Sequence, residues 1–74
     1  MPYIEIRAYP KDEEIKERVA QRIKQVFLEE WGCPESAISV SFEAIPPEDW
    51  ATRAGPVMEA NSGKMYILNG EKVR

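Results

Sequence analysis

Three stretches of hydrophobic periodicity constrain this chain more than any single residue does. From Pro2 to Tyr9 (PYIEIRAY) the residues alternate, with Ile4, Ile6 and Ala8 on one side and Tyr3, Glu5, Arg7 and Tyr9 on the other. A period of two is that of a half-buried strand. Pro10 ends it, because proline has no N–H to give to a ladder. In the stretch from Lys11 to Gly32 the period changes: Ile15, Val19, Ile23, Val26, Phe27 and Trp31 recur at helical spacing. This predicts a long amphipathic helix whose stripe, Trp31 included, is core. Asp12 is placed to cap it, Glu13 and Glu14 suit the positive end of its dipole, and Gly32 followed by Pro34 stops it. From Ser36 to Ile45 alternation returns, with Ile38, Val40, Phe42 and Ala44 apolar against Ser39, Ser41 and Glu43.

Strand, long helix, strand is a βαβ unit. Its strands are expected to run parallel through a right-handed crossover, with the helix stripe packed on Ile4, Ile6, Ile38, Val40 and Phe42. Pro46-Pro47 predicts a short helical turn reaching Trp50, with Pro47 at its first position. Asn69-Gly70 is the favoured pair of a type I′ turn, which predicts a terminal hairpin of Met65–Leu68 and Glu71–Val73. The expected fold class is therefore α/β, one domain over residues 1–74, with a C-terminal β-hairpin.

Size decides what such a unit needs. A chain of 74 residues is one domain at most and buries a modest share of its surface. Its single cysteine allows no internal disulfide, and with no histidine there is no Cys/His cluster of metal-ligand spacing. A two-stranded sheet is too small to stand alone, and its open edges invite partner strands, so a homo-oligomer is expected. The net charge of −3 comes from interleaved acids and bases, with no basic stripe for nucleic acid. No apolar run is long enough to span a membrane, and no signal-peptide pattern opens the chain. A free thiol without a targeting segment fits the cytoplasm. Cys33 has no imidazole to activate it and reads as a structural residue. Glu5 and Arg7 read as a cross-strand or intersubunit pair on the polar sheet face.

The Met1-Pro2 opening admits two readings. It is either a strand that begins on proline or, once Met1 is removed, a secondary amine at the mature N-terminus. An α-amine titrates near pKa ~8, and the secondary amine of proline is more basic. A dry pocket holding another cation disfavours the ammonium, so such an amine could carry a proton on and off a substrate near neutral pH.

The stretches MPYIEI, YPKDEE and SAISVSFEAIPPEDW, taken with the order of elements, resemble the 4-oxalocrotonate tautomerase family over nearly the whole chain. The serine inside the second strand and the Pro-Glu-Asp-Trp turn look most like its PptA-like branch. The resemblance implies the tautomerase (MIF-like) fold, assembled as dimers or hexamers with the polar sheet faces lining a central space. It implies a cofactor-independent enol–keto tautomerase acting on a small enol or keto acid. Pro2 matches the family's proton carrier, Lys11 its basic residue at the start of the helix, and Trp50 its aromatic wall. Ser39 stands where well-known members carry an arginine that grips the far carboxylate of a dicarboxylate. A hydroxyl cannot replace a guanidinium fork, so the enol of a mono-acid such as phenylenolpyruvate is the expected substrate. Lys11, in place of the commoner arginine, keeps a point charge without bidentate geometry. Nine extended residues at about 3.3 Å each separate Lys11 from Pro2 by close to 30 Å, so Lys11 can serve Pro2 only across a subunit interface. Two other readings stand beside this one. The same scaffold could add water to an unsaturated acid or hydrolyse a halogenated one, with Glu5, Glu43 or Glu48 activating the water. Or the oligomer has no catalytic role, because a retained Met1 keeps the Pro2 nitrogen in an amide.

Overall fold

A computed structural model describes residues 1–74. Strand β1 (Tyr3–Ala8) leads to helix α1 (Glu13–Trp31) and back to strand β2 (Ser39–Ala44), which pairs with β1 in parallel. Tyr3 is opposite Ser39, Glu5 opposite Ser41 and Arg7 opposite Glu43, so every polar position predicted by the alternation falls on one face. Ile4, Ile6, Val40 and Phe42 share the other face, which α1 covers mainly over β2.

The helix boundaries follow from local chemistry. Asp12 takes the N-cap position without a side-chain cap bond, and its carbonyl accepts from the Lys16 N–H at 3.1 Å. Gly32 closes the helix at φ 63°, a left-handed conformation that favours glycine. Strand β2 is shorter than the expected Ser36–Ile45. Pro34 opens a 3₁₀ turn over Glu35–Ala37, whose last carbonyl-to-amide bond runs from the Ile38 N–H to the Glu35 oxygen at 3.2 Å. Lys24 on α1 holds that turn through Glu35 at 2.6 Å, and the bond keeps the Glu35 carboxyl below its ordinary range.

Beyond β2 the chain is more helical than expected. The Pro46-Pro47 turn is present as a 3₁₀ turn over Pro47–Asp49 and runs directly into α2 (Trp50–Arg53) and α3 (Gly55–Ala60). The hairpin is present but short, with β3 (Ile67–Leu68) and β4 (Glu71–Lys72) antiparallel. Asn69 and Gly70 have φ 51° and 82°, the two positive values a type I′ turn demands. The Arg74 guanidinium donates to the Gly63 carbonyl and lies over the Tyr66 ring, which ties the end of the chain to the segment just before the hairpin.

The apolar surface is only partly covered. Pro2, Ile45 and Ala54 are the buried residues. The Cα radius of gyration is 13.8 Å, against about 11 Å for a compact chain of this length. Trp31, expected in the core, is instead 64% exposed and leans edge-on against Phe27 with ring centroids 4.5 Å apart. The physical reason is width. Two strands about 4.8 Å apart present a narrow platform, and a helix of 19 residues overhangs it at its end. Ile15, Val19 and Val26 of the same stripe are exposed as well. No helix is long and apolar enough to cross a membrane.

Candidate functional site

Proline at position 2 sits just before β1 and is buried, while Met1 is fully exposed. The Pro2 carbonyl accepts the Ser39 N–H at 3.2 Å, which locks the start of β1 beside the start of β2. Pro2 and Ser39 are thus neighbours at one end of the sheet. Beside them the Tyr3 hydroxyl and Ser41 Oγ share a hydrogen bond of 2.7 Å on the polar face, so Ser41 is already occupied.

The opposite end of the sheet holds the other two expected site residues. The Ile45 N–H donates to the Ala8 carbonyl at 2.9 Å, so β1 and β2 also finish side by side. From there Pro46 and Pro47 turn the chain, and Trp50 begins α2. Its ring packs edge-on against Tyr9 at 5.2 Å and 82°. An ion-pair chain pins this turn to the sheet. Arg53 reaches Glu43 at 2.8 Å and Asp49 at 3.9 Å, and Glu43 also faces Arg7. Arg7 Nε lies 3.2 Å from Glu43 but off the line that a hydrogen bond needs, and Arg7 Nη2 donates to Glu5 at 3.2 Å. Glu5 and Arg7 do pair, but along one strand rather than across strands or subunits as expected, because both leave the same face of β1 two positions apart; the cross-strand partner of Arg7 is Glu43.

Lys11 and Trp50 line one open cavity of ≈ 410 Å³, together with Arg7, Tyr9, Met58 and Asn69. Arg7 is engaged by two carboxylates, whereas Lys11 takes part in no ion pair. The cavity thus offers one free ammonium beside two aromatic rings, which suits a planar organic anion. Lys11 also borders an apolar groove of ≈ 300 Å³ between α1 and the strands, lined by Ile6, Tyr9, Ile15, Val19 and Phe42.

The sequence-predicted residues therefore fall into two pairs within one chain: Pro2 with Ser39, and Lys11 with Trp50. Sequence reasoning missed Tyr9, Met58 and Asn69 as cavity walls. Tyr9 had a usable signal, an aromatic on the outward side of a strand just before a terminating proline. Met58 and Asn69 reach the cavity through α3 and the hairpin, and no local pattern marks them.

Comparison with known proteins bears on the family and the fold. A family model described as tautomerase enzyme matches residues 2–60. Tautomerase PptA of Escherichia coli O127:H6 (strain E2348/69 / EPEC) is 35% identical over 66 residues, covering 81% of this chain and 88% of that protein. Tautomerase PptA of Escherichia coli (strain SMS-3-5 / SECEC) is 34% identical over 65 residues, covering 80% and 87%. The β1–α1–β2 unit and small terminal strands are those of the tautomerase fold, and the chain belongs to the tautomerase family, on its PptA-like side, as an isomerase of tautomerase type.

Proposed function

We propose that this protein is a cofactor-independent enol–keto tautomerase of 2-hydroxyacrylate-type mono-acids, with the Pro2 nitrogen as general acid and base. The observation that carries this reading is the placement of Pro2 and Lys11 at opposite ends of the same parallel sheet. A two-fold axis normal to the sheet, pairing an edge strand with its copy, reverses strand direction. It sets the Pro2 end of one protomer beside the Lys11 and Trp50 end of its partner. The same pairing would cover apolar surface left open at Ile15 and Val19. Dimer and hexamer both satisfy it.

The reaction is a proton shift with no net redox change. With Met1 removed, the neutral Pro2 nitrogen takes the enol hydroxyl proton. The C–O bond becomes a carbonyl, the alkene electrons move to C3, and the prolinium returns a proton there. Lys11 holds the substrate carboxylate, and Trp50 and Tyr9 flank the conjugated plane. The proline ring leaves no side-chain rotamer to order, so its lone pair is held in place by the strand. Of the three carboxylates in the water-activating alternative, Glu5 and Glu43 are engaged by guanidinium groups, which disfavours them as the base, while Glu48 takes part in no ion pair.

A mixing experiment tests the shared site. Pro2→Ala and Lys11→Ala proteins, each impaired alone, are unfolded together and refolded. In a two-fold assembly mixed pairs regain one intact site, so activity should return to roughly a quarter of the parent level. No recovery, in a mixture shown by native mass spectrometry to contain mixed pairs, would place both groups in one chain and reject the proposal.

Substrate choice follows from the count of free cations. Lys11 is the free cation of its cavity, and Ser39 beside Pro2 offers a neutral hydroxyl. Phenylenolpyruvate should be preferred over the dicarboxylate 2-hydroxymuconate in kcat/KM. Ser39→Arg should move that preference toward the dicarboxylate by about tenfold to a hundredfold, the value of one charge-assisted hydrogen bond. A parent enzyme already faster with the dicarboxylate would contradict the mono-acid reading.

A further inference from the structure

The C-terminal hairpin delivers a polar side chain that the proton shift described above does not use. Asn69 occupies the first turn position at φ 51° and lines the cavity that holds Lys11, Tyr9 and Trp50. A positive φ there limits the position to Gly, Asn or Asp at low cost. The turn accounts for a residue of this kind, and the cavity is what gives its amide something to meet. The amide is not used internally: Asn69 makes no side-chain hydrogen bond, and Lys11 makes neither a hydrogen bond nor an ion pair. An open ammonium and an open amide therefore line one cavity. An ammonium binds a carboxylate as a point charge and leaves its rotation free. An amide N–H₂ supplies a directed donor, and two donors of different kinds fix the carboxylate plane.

We propose that Asn69 is a specificity-determining residue that donates its amide N–H to the substrate carboxylate held by Lys11. The cavity thus selects a free 2-oxo or 2-hydroxyalkenoic mono-acid over its ester. The proposal rests on Lys11 being the carboxylate holder. Asn69 comes from the far end of the chain, so carboxylate recognition depends on the hairpin tip staying beside Tyr9, Lys11 and Trp50.

The turn itself makes the test clean, because Asn69→Gly and Asn69→Asp both tolerate positive φ. Phenylenolpyruvate and its methyl ester are the substrates. Asn69→Gly should raise KM for the acid by about tenfold with kcat nearly unchanged, as loss of one hydrogen bond to a charged group predicts. Asn69→Asp, which sets an anion beside the carboxylate, should raise it further. Neither variant should change KM for the ester. A binding measurement runs in parallel on a Trp31→Phe background, where quenching of Trp50 emission by phenylpyruvate gives Kd without turnover. Parent-like KM and Kd in both Asn69 variants, with Lys11→Ala weakened, would overturn the role of Asn69 alone. Parent-like binding in Lys11→Ala would instead overturn the carboxylate assignment on which it rests.

Discussion

Pro2→Ala is expected to lower the tautomerase rate by roughly 10²–10⁴-fold, the range for removing a general acid–base group. Alanine also follows methionine well in N-terminal processing, so the variant still presents an α-amine. What it loses is the ring. A primary amine turns freely about its bond to Cα and is less basic, whereas the proline nitrogen is held at a set angle by its own ring and by the strand. The Ser39 N–H to Pro2 carbonyl bond is a backbone contact and survives the change. Thermal melting should therefore stay near the parent value while kcat falls. A preparation that keeps Met1 should be inactive for a separate reason, since acylation draws the nitrogen lone pair into the amide. Intact mass and rate, measured on one sample, check both points. Full activity from protein wholly retaining Met1 would remove Pro2 from the mechanism.

The largest effect on stability is expected at Ile45. Its exposure is 0%, it is the largest fully buried side chain, and its N–H joins the ends of the two strands through Ala8. Ile45→Ala should cost about 2–5 kcal/mol, from lost burial and from the cavity left behind. A domain of this length holds only about 4–11 kcal/mol in total, so the variant should be largely unfolded in mild denaturant. Ile45→Val should cost about 0.5–1.5 kcal/mol. Val26, exposed on α1, is the control, and Val26→Ala should lie near zero in an isolated protomer. Urea midpoints at one fixed protein concentration give the comparison, because assembly would add its own stabilisation. An Ile45→Ala midpoint matching that of Val26→Ala would mean the strand ends are not the centre of the fold. Trp50 follows Ile45 by a few residues on the same turn, so the Ile45 variant should also lose the Tyr9–Trp50 contact, visible as near-ultraviolet dichroism.

Much of the fold was legible along the chain, because its signals are local. Alternation at Tyr3–Ala8 and Ser39–Ala44 determines which side chains share a face, since successive residues of a strand must point opposite ways. Helical spacing from Ile15 to Trp31, with Gly32 after it, determines one long helix and its end. Asn69-Gly70 determines the hairpin turn. The βαβ order then leaves little freedom in topology. Of the candidate site, the sequence carried the chemical types: a proline at a strand start, a lysine before a helix, a serine in β2 and a tryptophan on a turn.

Tertiary structure alone decided distances and coverage, which depend on residues far apart in the chain. Periodicity marks Trp31 as apolar, but only the width of the sheet beneath it decides that it is left exposed. Arg53, Glu43 and Arg7 form one ion-pair network only because α2 folds back over the polar face. Pro2 and Ser39, 37 positions apart, become neighbours through parallel register, and the same register sends Lys11 and Trp50 to the other end. Asn69 reaches their cavity only because the hairpin folds against the body. A local pattern can state what a side chain is and which way it leaves the backbone. It cannot state what that side chain will meet, because the partner is chosen by packing between elements the pattern does not connect.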